Sequence, residues 1–434
     1  MKFLRFFLPA FMLASVAMSA AATSHVATQR DSLMSDHKLI FFGEGANPHS
    51  DSIRNLIENF YYDQFRNFQD PAAPYFLFMS RDANLAMGVG GLVRMRGYFD
   101  WDGSVNQPAF SPMFIPVAKD QLHQHLLGTT PAGTALFFRV IGRNKKFGTY
   151  QLYIEGNFNG YNGVGFRLKK SYAIINDWTI GYAASTFGDG AAVPPTVDSN
   201  GPTMKMDGTN VLVRWMHTFK SHYVVAASVE TPSMSIDETD GDVAARSQYL
   251  PNLAAMVQYE WDKDQHVRLS GIVRFLPYRD LVNGTNHQLT GWGLQLSTVF
   301  HPIPQVTVYG TVNGGYSYSN FGGDMLLSQY DLVENPATPG RLRTTPGFGY
   351  FAGLQYNFTP SLFVSTTWGQ GRYLPSYEVL GTAYKYGLYS ATNIFWNPTP
   401  RIMLGAEFNI GKRKDFDGED GWARRVGAMI QFSF

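Results

Sequence analysis

The chain has 434 residues, of which 44% are hydrophobic and 15% aromatic, with 43 Gly, 33 Phe and 24 Tyr. Charged residues make up only 16% and the formal net charge is +1, which gives no reason to expect nucleic acid as a partner. There is no Cys, which excludes a disulfide framework, thiol catalysis and cysteine metal sites.

In chain order, "MKFLRFFLPAFMLASVAMSAAATS" comes first. Lys2 and Arg5 form a basic start, Phe6 to Met18 an apolar core, and Ala20 to Ala22 a small-residue exit. The pattern predicts a secretory signal peptide over residues 1–22, cut near Ala20 or Ala22. No later stretch is long and apolar enough for a transmembrane helix, so an exported chain without helical spans is expected.

Residues 23–80 read as a separate periplasmic or plug-like segment. In "SDSIRNLIENFYYDQFRNF", Ser50 or Asp51 offers a cap, and Ile53, Leu56, Ile57, Phe60 and Phe68 follow helical spacing. A short amphipathic helix of about four turns is expected. It lies outside the wall or at the periplasmic mouth, as a linker or as an occluding element.

From residue 85 onward the pattern has a period of two. In "NLAAMVQYEW", Leu253, Ala255, Val257, Tyr259 and Trp261 alternate with Ala254, Met256, Gln258 and Glu260. The final "RRVGAMIQFSF" sets Val426, Ala428, Ile430, Phe432 and Phe434 against Gly427, Met429, Gln431 and Ser433. About sixteen such segments of roughly ten residues occur, the length at which a tilted strand crosses a bilayer. Tight links at 143–146, 176–178, 219–221, 262–265, 301–304, 359–361 and 397–400 alternate with longer stretches. Those stretches are 102–133, 159–163, 187–209, 232–251, 277–288, 316–345, 373–383 and 412–421. Short turns on one side and long loops on the other predict an all-β fold, a transmembrane antiparallel barrel over residues 81–434 in the outer membrane of a Gram-negative bacterium. The terminal Phe432 and Phe434 then face lipid and resemble the signal read by barrel-assembly machinery.

Alternation also assigns a lumen face. Its basic members are Arg94, Arg96, Arg139, Arg167, Lys169, Arg214, Arg268, Arg274 and Arg425. Its acidic members are Asp100, Glu155, Glu230, Glu260 and Glu407. Such a wall concentrates anions and binds carboxylates, or else its arginines pair with its own carboxylates and hold the barrel in shape. Lys170 breaks the scheme, since strict alternation points it to lipid unless a bulge or snorkelling intervenes. Gly88, Gly90, Gly165, Gly293 and Gly353 on the lumen face suggest open space. The third external loop, "FGDGAAVPPTVDSNGPTMKMDG", is rich in Gly and Pro. Folded inward, it sets Asp189, Asp198 and Lys205 opposite the basic wall. Otherwise it is a surface loop.

Enzymatic motifs are scarce. His123 and His125 lack a third ligand, and "DFDGED" at 415–420 lacks a full spaced calcium set. His217, His222 and His287 have no serine assigned to them by spacing. No Walker loop or dinucleotide fingerprint is present, and no cofactor or metal is expected.

Several stretches resemble the DcaP-like family of trimeric outer-membrane porins: "LYIEGNFNG" followed by "FRLKKSYAIINDWTIGYAASTFGD", then "PPTVDSNGP", "YLPNLAAMVQYEWDKDQHVRLSGIVRF" and "LGAEFNIGKRKDFDGEDGWARRVGAMIQFSF". They cover most of residues 134–434 with gaps. The resemblance implies a sixteen-stranded homotrimer that takes up small anionic solutes such as dicarboxylates, with Arg167, Lys169 and Arg425 in the lumen and Glu155 opposite. Lys169 and Lys170 stand where the family tends to have Arg and His, which keeps the charge but loses the planar fork. The family's N-terminal coiled-coil arm has no counterpart, because no heptads are present. The expected function is passive diffusion of small hydrophilic, preferably anionic, solutes through a barrel surrounded by outer-membrane lipid. A plugged structural or adhesive barrel and a barrel lipid hydrolase are the alternatives.

Overall fold

A computed structural model describes residues 37–434, apart from 62, 72, 106, 119–120, 123, 147, 160–163, 263, 319–320, 323–329 and 336. The expected signal peptide, residues 23–36 and His123 lie outside the described residues.

Sixteen strands form the wall. They are β1 (Leu85–Trp101), β2 (Ala135–Asn144), β3 (Gly148–Phe158), β4 (Phe166–Ile175), β5 (Trp178–Ala184), β6 (Thr209–Phe219), β7 (Tyr223–Glu230) and β8 (Asn252–Asp262). Then follow β9 (Gln265–Asp280), β10 (Thr285–Ile303), β11 (Val306–Tyr316), β12 (Pro346–Thr359), β13 (Leu362–Tyr373), β14 (Tyr384–Thr399), β15 (Ile402–Asp415) and β16 (Asp420–Ser433). Each pairs antiparallel with the next, and β16 pairs with β1 from Ser433↔Leu92 to Arg424↔Trp101. Closure leaves the wall no edge, so its ladder groups are satisfied without water.

The outer face is what a bilayer requires. Val93, Met95, Ile154, Leu168, Val213, Leu269, Leu294 and Ile430 are exposed along its middle. Trp178, Phe219, Tyr223, Tyr259, Trp261, Tyr356, Phe358, Trp396 and Phe432 ring the end with the short turns, and Phe99, Trp292, Tyr316 and Trp422 the other end. Two aromatic girdles flanking an apolar band mark a membrane-spanning barrel. The chain is a multi-pass β-barrel of the outer membrane.

Two of the expected long loops are hairpin tips instead. Strands β9 and β10 stay paired to Asp280↔Thr285, so residues 277–288 are mostly ladder. Likewise β15 and β16 pair to Lys414↔Asp420, leaving a short turn in place of the loop at 412–421.

The N-terminal helix, α1 (Ser50–Tyr61), is shorter than expected and stops before Phe68. Its buried Ile53, Ile57 and Phe60 pack on Leu77, Met79 and Ala86 at the periplasmic mouth. The flanking segments join the sheet: Phe76–Ser80 pairs antiparallel with the start of β1, and Lys38–Phe42 pairs parallel with Phe76–Ser80. At the same seam Phe434 N–H donates to Gly91 O at 3.0 Å, and Gly91 N–H donates back to Phe434 O at 2.9 Å.

Candidate functional site: a filled and charged lumen

The lumen arginines and lysines point inward, as alternation places them, yet most do not face open water. Arg94, Arg96, Arg139, Arg214, Arg268, Arg274 and Arg425 are all buried, and only Arg167 is exposed. Three pieces of chain enter the barrel and cover most of them.

The first is the N-terminal stretch after α1. Gln64 sits against β8, with its amide donating to Glu260 at 2.6 Å and accepting from Gln258 at 3.0 Å. Arg268 reaches Gln64 O at 3.2 Å, and the Phe65 ring stacks under Arg214 at 3.9 Å. Phe68, read as helical, instead packs edge-on against Phe363 and Phe395. Gln69 accepts from Arg94 through its carbonyl at 3.2 Å and from Arg96 through its side chain at 2.6 Å. Asp70 then meets Lys169 at 2.5 Å and Lys170 at 3.0 Å. Burial alone would raise the Asp70 pKa, but the two ammonium groups hold it well below the usual carboxylate range.

Lys170 lies in the lumen because of a bulge. The register shifts between Glu155↔Lys170 and Gly156↔Leu168, so Lys169 is the extra residue and both lysines turn inward. Lys169 also meets Glu155 at 2.9 Å, and Tyr153 donates to that carboxylate at 2.9 Å.

The third external loop is the second insert. It folds into the barrel rather than lying on the surface. Asp189 meets His266 at 2.8 Å, accepts from Ser297 at 2.6 Å and lies 3.5 Å from Arg268. Burial works against its charge, but Arg268, His266 and Ser297 hold its pKa low. Farther along, Val197 and Asp198 N–H both donate to Glu407, at 2.9 and 3.0 Å. The Asp198 carboxylate accepts from the backbone of Phe110, Asn200 and Gly201. Burial dominates there and raises its pKa despite Arg425 and Arg96. Lys205 pairs within the loop to Asp207 at 2.9 Å.

The first external loop supplies the third insert. Arg425 grips Asp100 with both nitrogens, at 2.5 and 2.9 Å, and donates to the carbonyls of Gln107 and Pro108. Farther round, Arg274 pairs with Asp331 of the sixth loop, and the same two terminal nitrogens also donate to Ser317 O and Ser233 O. Glu230 accepts from Thr186 N–H at 3.0 Å, from Asn210 at 3.0 Å and from Ser228 at 2.8 Å. Arg139 donates to Phe60 O at 2.6 Å, and Arg167 to Asn157 at 3.3 Å.

Four of the five expected lumen glycines are correspondingly not open space. A Cβ at Gly88 would meet Pro74 at 2.2 Å, at Gly90 Phe434 O at 2.8 Å, at Gly293 Phe187 at 2.9 Å and at Gly353 Pro194 at 2.3 Å. They are where the inserted segments touch the wall. Among the described residues, free space includes a periplasmic vestibule of about 1090 Å³, walled by Asp63, Arg66, Glu260, His301 and Arg401, and a smaller external cavity of about 320 Å³ beside Asp102 and Trp422.

Asp70, Gln64 and Gln69 were not among the expected site residues. The one hint was the second lysine at 170, whose charge demanded a partner inside. His217 pairs with Asp177 at 2.8 Å, and His125 stacks on Phe99. Among the described residues no group of three metal-ligating side chains forms.

No family model matches the sequence, and no curated protein does either. Solved structures do match in shape. The outer membrane channel DcaP of Acinetobacter baumannii superimposes with a TM-score of 0.70 at 18% identity, over 81% of this chain and 98% of that one. An anion-selective porin from Comamonas acidovorans gives 0.52 at 10% identity, over 81% and 100%. OmpT, an outer membrane protein of Vibrio cholerae, gives 0.50 at 10% identity in its trimer form, over the same shares. The chain has the sixteen-stranded porin fold of the DcaP channel.

Proposed function

We propose that the chain is a passive channel for small hydrophilic solutes that prefers small anions. The carrying observation is the way Arg94, Arg96 and Arg214 are held. Their partners are amide and carbonyl oxygens: Gln431 and Gln69 for Arg94, Ala132 and Gln69 for Arg96, Ala184 for Arg214. Such bonds engage the guanidiniums through neutral oxygens and, among the described residues, leave Nε of Arg96 and of Arg214 without a partner. The charge around β1 and β6 is thus offset by carboxylates farther off, such as Asp70, Glu155 and Glu230, and not by direct pairing. Arg167, exposed near the outer end of β4, adds a cation open to solvent. The anion-selective Comamonas porin and the trimer form of OmpT support the anion preference and a homotrimer in the outer membrane. The terminal strand, with Phe432 toward lipid and Phe434 at the seam, suits recognition by barrel-assembly machinery.

The test is the reversal potential of the purified protein in a planar bilayer under a KCl gradient, before and after Arg167→Gln. Arg167 is the right target because, among the described residues, its side-chain hydrogen bond goes to Asn157 of the wall and not to an inserted segment. Chloride selectivity that falls in the variant supports the reading; unselective conductance in both discards the anion preference. A second reading, a closed structural barrel, is favoured by the filled lumen and predicts no conductance at all.

A further inference from the structure

Four wall strands direct cations onto one short stretch of chain. Residues 63–71 enter the lumen from the periplasmic side and are gripped by Arg94 and Arg96 of β1, Lys169 and Lys170 of β4, Arg214 of β6 and Arg268 of β9. Their own backbone is irregular, and short-range bonds stiffen it: Asp63 accepts from Phe65 N–H at 2.9 Å, Asn67 from Gln69 N–H at 2.8 Å, and Asp70 from Asn67 N–H at 3.1 Å. On its outer side the stretch touches the third loop, where the Gln69 amide donates to Thr196 O at 2.5 Å. Apolar packing alone would seat a linker. The charge arrangement here does something more specific, since it puts a carboxylate between two lysines at the point where the wall is most cationic.

We propose that residues 63–71 are a built-in gate, an internal anion that occupies the cationic wall and limits flow until it is displaced. This rests on the channel reading above. In the docked state the lysine pair and four arginines are committed to the chain's own groups. Displacing the stretch returns their donors to water and widens the path beneath the third loop. Asp70 is the latch, because its two oxygens are shared between Lys169 and Lys170.

The chain has no Cys, so an engineered pair is unambiguous. A Cβ built on Gly190 lies 3.3 Å from the Asn67 side chain's Cβ, close to the ~3.8 Å a disulfide spans. Full-length protein carrying Asn67→Cys and Gly190→Cys is inserted into phosphatidylcholine bilayers in KCl, oxidised, and then reduced with dithiothreitol. The expected result is a conductance several-fold higher after reduction. Asp70→Asn in the otherwise unchanged chain raises conductance without any cross-link, with folding checked by the heat-dependent mobility shift on a detergent gel. Equal conductance in the oxidised and reduced pair, with the disulfide confirmed by mass, means ions bypass the stretch: the gate falls and the channel stands. A disulfide that fails to form under oxidation removes residue 67 from the third loop and also overturns the gate. If no form conducts, Asp70→Asn included, the channel reading falls and takes the gate with it.

Discussion

Arg425 shows how a lumen arginine works here. Its guanidinium meets both oxygens of Asp100, stacks over Tyr98 at 4.1 Å, and closes two loop carbonyls. Both partners are almost fully buried, so truncating one strands the other's charge, at a cost of about 3–5 kcal/mol. Arg425→Gln is therefore expected to lower the temperature at which the folded barrel loses its gel mobility shift. Adding Asp100→Asn is expected to recover much of it. Two acids of the inserts respond to pH in opposite senses. Asp70, whose pKa is held down, grips the lysines at all pH values above its unfolded value and lets go only as pH falls through its low folded value. Asp198, whose pKa is raised, stabilises its loop below its unfolded value, and that contribution is lost as pH rises through the folded one. Acidifying from neutral pH down to the ordinary aspartate value of about 4 should thus slow proteolysis within residues 187–208 while leaving residues 63–71 protected. While it pointed Lys170 to lipid, alternation made the inward direction of Arg425 and Asp100 legible. Their partners were not, because Arg425 and Asp100 are 325 positions apart and Lys170 and Asp70 are 100 apart.

At the scale of elements, the inserts depend on wall residues that have no side chain. Pro194 of the third loop sits over Gly353 of β12, Val197 over Gly405 of β15, and Met204 over Gly349 and Gly371. Gly353→Ala puts a methyl 2.3 Å from Pro194 Cγ, so the loop must move outward. The expected outcome is faster cleavage of the loop by added protease, with the barrel itself intact by gel mobility. The sequence showed these glycines and the Gly- and Pro-rich loop separately. Only contact across the lumen shows that one receives the other, and Gly353 read alone suggested empty space. The short helix was legible from Ile53, Ile57 and Phe60. Its end was not, since Phe68 keeps helical spacing but finds its partners on β13 and β14.

For the whole molecule, the sixteen segments, their closure and the lipid-facing set all follow from period-two alternation and from the rhythm of short and long links. The hairpin tips at 277–288 and 412–421 were misread because strands that continue past the bilayer become polar on both faces. Hydrophobic alternation then vanishes while the ladder persists. Nothing in alternation distinguishes an empty cylinder from a packed one, since inward residues look polar in both cases.

The parallel pairing of Lys38–Phe42 with Phe76–Ser80 has a further consequence. Parallel neighbours need a long crossover, and here that crossover contains α1 and the stretch that enters the lumen. Both of its ends are therefore stitched into the sheet at the seam where Phe434 meets Gly91. A stretch tied at both ends does not diffuse away when dislodged. It behaves as a tethered ligand, with an effective concentration in the ~mM range for short links. Recapture is then unimolecular, and its rate is independent of how much protein the membrane holds. A soluble competitor for the same lysines must approach that concentration to keep it out.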